Sequence, residues 1–428
     1  MVRHLPLLLI IGVLWSASAR AAPPPGFGEH PEALRVKLVT FGPGQDAHQL
    51  FGHSALWIED TRLGADVLYS YGMTTQEGQG SPLHFLVRHQ PFWSARLPVA
   101  HTFAGYQRQD RSIHVQELRL PLEARRRLLA RLERDVRPEH RLYAYHPTDN
   151  NCATRVRDAL DEALAGALRS ASSLPARFTW REHLRQHVRH HPVLGLLLLT
   201  WVNAVMDMPR TRWEEAYVPR ELARMLDTTS VPDGRGGHVG LVSHRADVHI
   251  SRSRPLPEGA DSAALPRLFL LGAAVALGAI LLSVLRERGT TEGARLAFGL
   301  YQALFGLTSG AVGLLGLLLT CVSEHAALRG NANLLLFNPL ALALVPLGVG
   351  VAFGSRRAER WTRACVGGLT GCALLAVALE LLPASAQDLR EPLALMLVAH
   401  LGFGVAWGRP WHRGARAAPR LEARPQRG

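Results

Sequence analysis

The apolar residues of this chain follow two regimes. Up to about residue 225 they alternate or recur at helical spacing in short stretches. From Leu265 onward they gather into five long runs: Phe269 to Leu285, Leu296 to Thr320, Leu334 to Phe353, Ala364 to Leu382 and Leu393 to Trp407. Each run approaches the roughly 20 residues a helix needs to cross a bilayer. In the first regime "LRVKLVTFG", "HSALWIED" and "DVLYSYG" are β-branched or alternating stretches separated by "GPGQDAHQLFG" and by a turn at "TRLGA", which predicts three strands. "LEARRRLLARLERDV" has apolar residues at helical spacing. "CATRVRDALDEALAGAL" places Ala153, Val156, Leu160, Ala163, Leu164, Ala167 and Leu168 on one stripe. The pattern predicts an α+β domain over residues 30–227 and an all-α polytopic membrane domain over 265–408. A Gly/Pro/Ser/Arg-rich tether over 228–264 is expected between them.

Two shorter apolar stretches need separate readings. Leu5 to Trp15, preceded by Arg3 and followed by "SASARAA", reads as a signal peptide or signal anchor over residues 1–21. "PVLGLLLLTWVNAVM", Pro192 to Met206, is too short and too interrupted for a span. It is expected as a buried or membrane-surface helix.

Charge fixes the orientation. Arg286, Arg288 and Arg295 follow the first span, Arg356, Arg357, Arg360 and Arg363 the third, and six more arginines the fifth, in a basic tail over 409–428. The alternate loops hold only Arg329 and Arg390, and thirteen against two places the domain before the spans outside the cytoplasm. The net charge of +13 is almost wholly arginine, the one lysine being Lys37, and reads as coding bias. In that compartment nucleic acid is excluded as a partner.

The compartment makes Cys152 conspicuous: it is the sole cysteine before Cys321 and has no disulfide partner in its own domain. Asp149, Asn150 and Asn151 before it are good N-cap residues, and the helical stripe starts immediately after. A helix N-terminus stabilises a thiolate and can hold an oxyanion, so this position suits a nucleophile. The base it requires is best sought at His53, where Gly52 precedes a strand whose alternation fixes the imidazole's face. Spacing leaves His48, His84, His89, His101, His114 and His146 as competitors.

Asn151 and Arg155 beside the cysteine are candidates for substrate contact. So are Glu324, His325, Asn331 and Asn333 in "SEHAALRGNANLLLFNPL", a loop on the same side of the membrane whose polar residues would be costly beside hydrocarbon. "REHLRQHVRHH" carries His183, His187, His190 and His191 but lacks the acidic partner of an HExxH site. It reads as a basic helix near lipid headgroups. No Gly-rich phosphate loop is present, and neither cofactor nor metal is expected.

At "FGHSALWI", "LYSYG", "RLYAYHPTDNNCATRVRD" and "MPRTRWEEAYVPREL" the chain resembles the Lnb family of bacterial lipoprotein N-acyltransferases. The resemblance continues into "EHAALRGNANLLLFNPL". With His before Cys it is also similar to circularly permuted relatives of NlpC/P60 peptidases, which implies a papain-like α+β periplasmic domain. The resemblance implies Cys152 as nucleophile, His53 as base and a polar group on the next strand, Ser70 or Tyr71, orienting the ring; Tyr71 is the expected choice. It further implies transfer of an acyl chain from a phospholipid donor, through an S-acyl enzyme, to the N-terminal amine of a diacylglyceryl-cysteine apolipoprotein. The location would be the outer face of the cytoplasmic membrane. The alternatives are a membrane-anchored thiol peptidase or amidase acting on peptidoglycan and a non-catalytic membrane scaffold. The acyltransferase reading expects the polar residues of "EHAALRGNAN" to point toward Cys152.

Overall fold

The computed structural model describes residues 22–74, 82–232, 237–253, 263–288, 292–382 and 387–408. The expected signal segment over 1–21 and basic tail over 409–428 lie outside these. The chain divides into two compact units: residues 1–261 with 319–330, and residues 262–318 with 331–428.

The first unit is built on a seven-stranded sheet. Its strands are β1 (Leu34–Phe41), β2 (His53–Asp60), β3 (Ala65–Met73), β4 (Pro91–Leu97), β5 (Ile113–Leu118), β6 (Leu142–Ala144) and, after a two-stranded ribbon of β7 (Ser230–Pro232) and β8 (His238–Gly240), β9 (Val242–His249). The order across the sheet is β6-β4-β3-β2-β1-β5-β9, with every neighbouring pair antiparallel. The first three strands are those the alternation predicts.

Side chains of β-strands point to opposite faces in turn, and both faces here are covered. On one, Leu56, Ile58, Val67, Tyr69 and Tyr71 pack against α3 (Leu122–Asp135) and α4 (Cys152–Ala163). On the other, Phe41, Ala55, Leu68 and Val115 pack against Val99 and Phe103 of α2 (Val99–Arg108). A short helix, α1 (Pro82–Val87), precedes β4.

The tether expected over 228–264 is corrected by β9, which adds to the sheet along β5. Its side chains are mostly exposed, so "VSHRADVH" lacks the apolar alternation of a half-buried strand and reads as linker. What holds it is backbone pairing, plus Asp110, whose carboxylate accepts from Ser251 Oγ and from the N–H groups of Arg252 and Ser253.

The stretch Pro192 to Met206 forms a ten-residue helix, Pro192–Trp201, well short of a span. The guanidinium of Arg181, fully buried, closes its C-terminal end: it donates to the carbonyls of Leu199, Val202 and Asn203 and pairs with Asp207 at 2.6 Å. The histidine-rich helix is correspondingly not a basic face. His183 is buried on Glu215 at 2.9 Å, and His187 is buried in a stack against Phe51 at 4.4 Å. Burial drives His187 down to about 4, so it is neutral.

The second unit holds the membrane helices. Ala264–Glu287, Glu292–Val322, Arg356–Leu381 and Arg390–Gly408 are each long and apolar enough to cross a bilayer. Between the second and third lies the remaining apolar run. It is broken into 3₁₀ turns at Ala332–Leu335 and Pro339–Ala343 and a helix at Leu344–Ala352. Pro339 has no N–H for a helical bond, and Asn338 caps the turn that restarts there. Leu270, Leu277, Leu281, Leu304 and Leu374 stay exposed, which suits surfaces turned to lipid. The first and last of these helices touch at small residues: a Cβ on Gly272 would lie 2.4 Å from the Leu395 carbonyl oxygen, and one on Gly402 would lie 2.3 Å from Ala276 Cβ.

Candidate active site

The turn before α4 is held by its own side chains. Asn151 caps the helix: its Oδ1 accepts from the N–H groups of Ala153 and Thr154 at 2.9 Å, while Thr154 Oγ1 accepts the Asn151 N–H at 2.7 Å. The Asn151 amide donates to the carbonyls of Pro147 and Tyr217. Every polar group of this buried side chain is used by the fold, so it positions Cys152 and has none left for substrate. Cys152 becomes the first residue of the helix, and it is a free thiol.

The register of β2 on β3 selects the group that orients His53. Ala55 faces Ser70, and cross-strand partners share a face, so Ser70 lies with Ala55 and His53 while Tyr69 and Tyr71 point to the other side. His53 Nε2 and Ser70 Oγ are hydrogen-bonded at 2.9 Å. In the tautomer that donates Nε2–H to Ser70 Oγ, Nδ1 carries the lone pair. Tyr71, the residue expected in this role, is corrected: it is buried in the core and donates to Asp135 Oδ2 at 3.0 Å. Replacing Ser70 by alanine is expected to lower turnover by roughly fivefold to tenfold, about one hydrogen bond's worth, and to cost about 1 kcal/mol of stability. Tyr71→Phe is expected to cost about the same stability with turnover intact. Parallel melting curves and initial rates would check both.

Gly72 marks where the elements meet. It sits at φ +85°, in the left-handed region, and a Cβ built there would lie 3.6 Å from Cys152 Cβ, 3.9 Å from His53 Cε1 and 3.9 Å from Tyr143 Oη. Alanine at this position would combine backbone strain with a methyl group among the three side chains. Tyr143 stood unremarked in "YAYHPTDNNC". Its hydroxyl is buried without an acceptor among the described residues, with the Gly72 N–H beside it, and the nearby thiol raises its pKa further than burial alone does. Arg155 lies over the Tyr143 ring at 4.1 Å and donates to Asn150 Oδ1, so it braces the phenol from the outside. On the other face of the sheet Phe41 stacks on His53 at 5.9 Å and on Tyr106 at 3.8 Å, and Arg111 lies over Tyr106 at 4.5 Å.

Cys152 and His53 are half-buried, and the loss of solvent around them sets their protonation. Burial, helped by the charge of Arg111, drives His53 down to about 3. Burial also pushes the Cys152 thiol up, although the N–H groups of Ser54, Ala153 and Cys152 and the Arg111 charge pull the other way. At neutral pH the pair is therefore thiol and imidazole. The thiolate that a helix N-terminus alone would favour is outweighed by desolvation.

The loop expected to face the thiol divides between the two units. Glu324 and His325, in the first unit, meet the end of α1: the Glu324 N–H bonds the Val87 carbonyl at 2.8 Å, Glu324 Oε2 accepts the His89 N–H at 3.0 Å, and His325 Nε2 bonds the Phe85 carbonyl at 2.9 Å. Their side chains reach His89 and His146. Asn331 and Asn333 belong to the second unit. There Asn331 caps the turn Ala332–Leu335, its Oδ1 accepting from the Asn333 N–H and from Gln387 Nε2, and Asn333 is buried within that turn.

Comparison with known proteins places both units. Residues 30–186 match the family described as Lnb N-terminal periplasmic domain, and residues 269–407 match the Lnb transmembrane domain. No curated protein and no solved structure matches the chain. The two matches cover well over half of the sequence in the order the hydropathy pattern sets out, periplasmic domain first and membrane helices second; the chain belongs to the Lnb family and is a membrane protein with a periplasmic N-terminal domain.

Proposed function

We propose that the protein is a membrane-bound lipoprotein N-acyltransferase of the cytoplasmic membrane with Cys152 as nucleophile. The observation that carries this reading is the convergence at Gly72 of a free thiol on a helix N-terminus, an imidazole fixed through its far nitrogen by Ser70, and an orphaned phenol. His53 Nδ1 takes the thiol proton as sulfur attacks the ester carbonyl of a phospholipid. The carbonyl oxygen gains the negative charge, and the Cys152 N–H in the helix's first turn and the Tyr143 hydroxyl are suited to receive it. Collapse breaks the ester bond, and His53 returns the proton to the departing lysophospholipid oxygen. The free α-amine of a diacylglyceryl-cysteine then attacks the thioester, forming the amide and regenerating the thiol.

Because imidazole is a poor base at so low a pKa, proton transfer must accompany attack rather than precede it. Four to five apolar spans in the same chain suit substrates that are both lipids, since acyl chains held at fixed depth leave their esters at headgroup level. The full-length protein in detergent, incubated with phospholipid labelled in its acyl chain, is expected to acquire label that neutral hydroxylamine releases. Absence of such label on the wild-type protein would overturn the reading.

A further inference from the structure

Three imidazoles from distant parts of the sequence share one small volume in the first unit. His89 follows α1, His146 lies in the turn between β6 and α4, and His325 lies in the returning segment 319–330. Their ring centroids are 5.1 Å (His89–His146), 4.8 Å (His89–His325) and 5.5 Å (His146–His325) apart, and one ring nitrogen from each lies within 4.8 Å of the others. We propose that His89, His146 and His325 bind a divalent transition metal of the zinc class, which fastens segment 319–330 to the periplasmic domain beside the turn that carries Cys152.

The hydrogen bonds around the rings favour this. His325 Nε2 is committed to the Phe85 carbonyl, which leaves Nδ1 with the lone pair. His89 Nδ1 lies 3.5 Å from the Glu324 carboxylate, and its Nε2 is buried with no hydrogen-bond partner among the described residues. A carboxylate behind an imidazole whose far nitrogen is unpartnered is the arrangement that orients metal-bound histidines and raises their basicity. His146 Nδ1 accepts from the Asp149 N–H at 3.1 Å, so its proton is on Nε2. Ligation through Nε2 moves that proton to Nδ1, which gives up the bonds from the Thr148 and Asp149 N–H groups and turns to Thr148 Oγ1 at 3.2 Å or Asp149 Oδ2 at 3.3 Å as acceptor. Tetrahedral binding with metal–nitrogen bonds near 2.1 Å needs nitrogens roughly 3.4 Å apart. The rings must therefore close by about an ångström, and the fourth position falls to water.

The anchoring that would profit is already partial. Asn203 Nδ2 donates to the carbonyls of Ala326 and Arg329, Ser323 Oγ bonds the Leu86 carbonyl at 2.7 Å, and the Glu324 N–H bonds the Val87 carbonyl. A metal joins these contacts to the turn before α4, which they do not reach. Two nitrogen ligands on separate loops and a third on the returning segment also explain why no motif spacing announces the site.

Cobalt(II) is the probe, titrated into full-length protein that carries no histidine tag and has been stripped with chelator. The expected result is saturable binding of one equivalent per chain, with the intense visible absorption of a tetrahedral ion, displaced by zinc. His89→Gln, His146→Gln and His325→Gln should each lose the absorption, whereas His190→Gln should keep it. Zinc should raise the melting temperature of the wild type and leave the three variants unmoved. Wild-type protein that binds no saturating equivalent, or whose absorption survives in the His89→Gln/His325→Gln double variant, would overturn the site.

Discussion

Cys152→Ser is expected to reduce the first half-reaction, read as lysophospholipid release in a single turnover, by at least about a thousand-fold. The argument rests on the base rather than on space, since oxygen for sulfur leaves the capped turn and the Asn151 contacts untouched. An imidazole driven down to about 3 can assist loss of a thiol proton, but a hydroxyl several units less acidic lies beyond it. Melting temperature should stay within a few degrees, because the capping bonds between Asn151 and Thr154 that hold the helix start do not involve the sulfur. Any residual label on the serine variant should resist neutral hydroxylamine, an oxygen ester having replaced a thioester. A variant that turns over within tenfold of wild type would remove Cys152 from the mechanism and leave the dyad as packing.

Much of this architecture is legible in the sequence because it is written in periodicities. β1, β2 and β3 alternate, α4 carries its stripe, and the long apolar helices announce themselves by composition. Cys152 could be placed at a helix start because Asn151 is a local cap. The features that escaped depend on pairing between distant segments. β9 is an exposed edge strand recognisable only by its partner β5. Ser70 rather than Tyr71 meets His53 because of the register across the β2–β3 turn, where a shift of one residue would exchange the two. The break at Pro339 was readable as a proline after an asparagine, yet hydropathy averages over it. The destination of Glu324 and His325 was not readable, since a loop's polar residues carry no address; here it is set by carbonyls at the end of α1.

The protonation of the pair gives the second prediction its shape. His53 serves as base only while unprotonated, and burial lowers its pKa, so acid must reach about pH 3 before half of it is lost. The thiol, raised by burial, stays protonated through neutral pH. Single-turnover lysophospholipid release by the wild type is therefore expected to be flat from about pH 5 to 8, since both groups keep one protonation state across that window. A thiolate–imidazolium pair would instead give a bell, its alkaline limb following loss of the imidazolium proton. In His53→Ala the thiolate must come from solvent deprotonation, so the rate should fall by about a hundred-fold to ten-thousand-fold at pH 7 and then climb about tenfold per pH unit. The deficit against wild type should shrink accordingly as pH rises. The first half-reaction is the one to measure, because the acceptor amine titrates near pH 8 and would bend the profile of complete transfer. A wild-type acid limb between pH 5 and 8, or a His53→Ala profile as flat as wild type, would show that His53 is not the base that Cys152 uses.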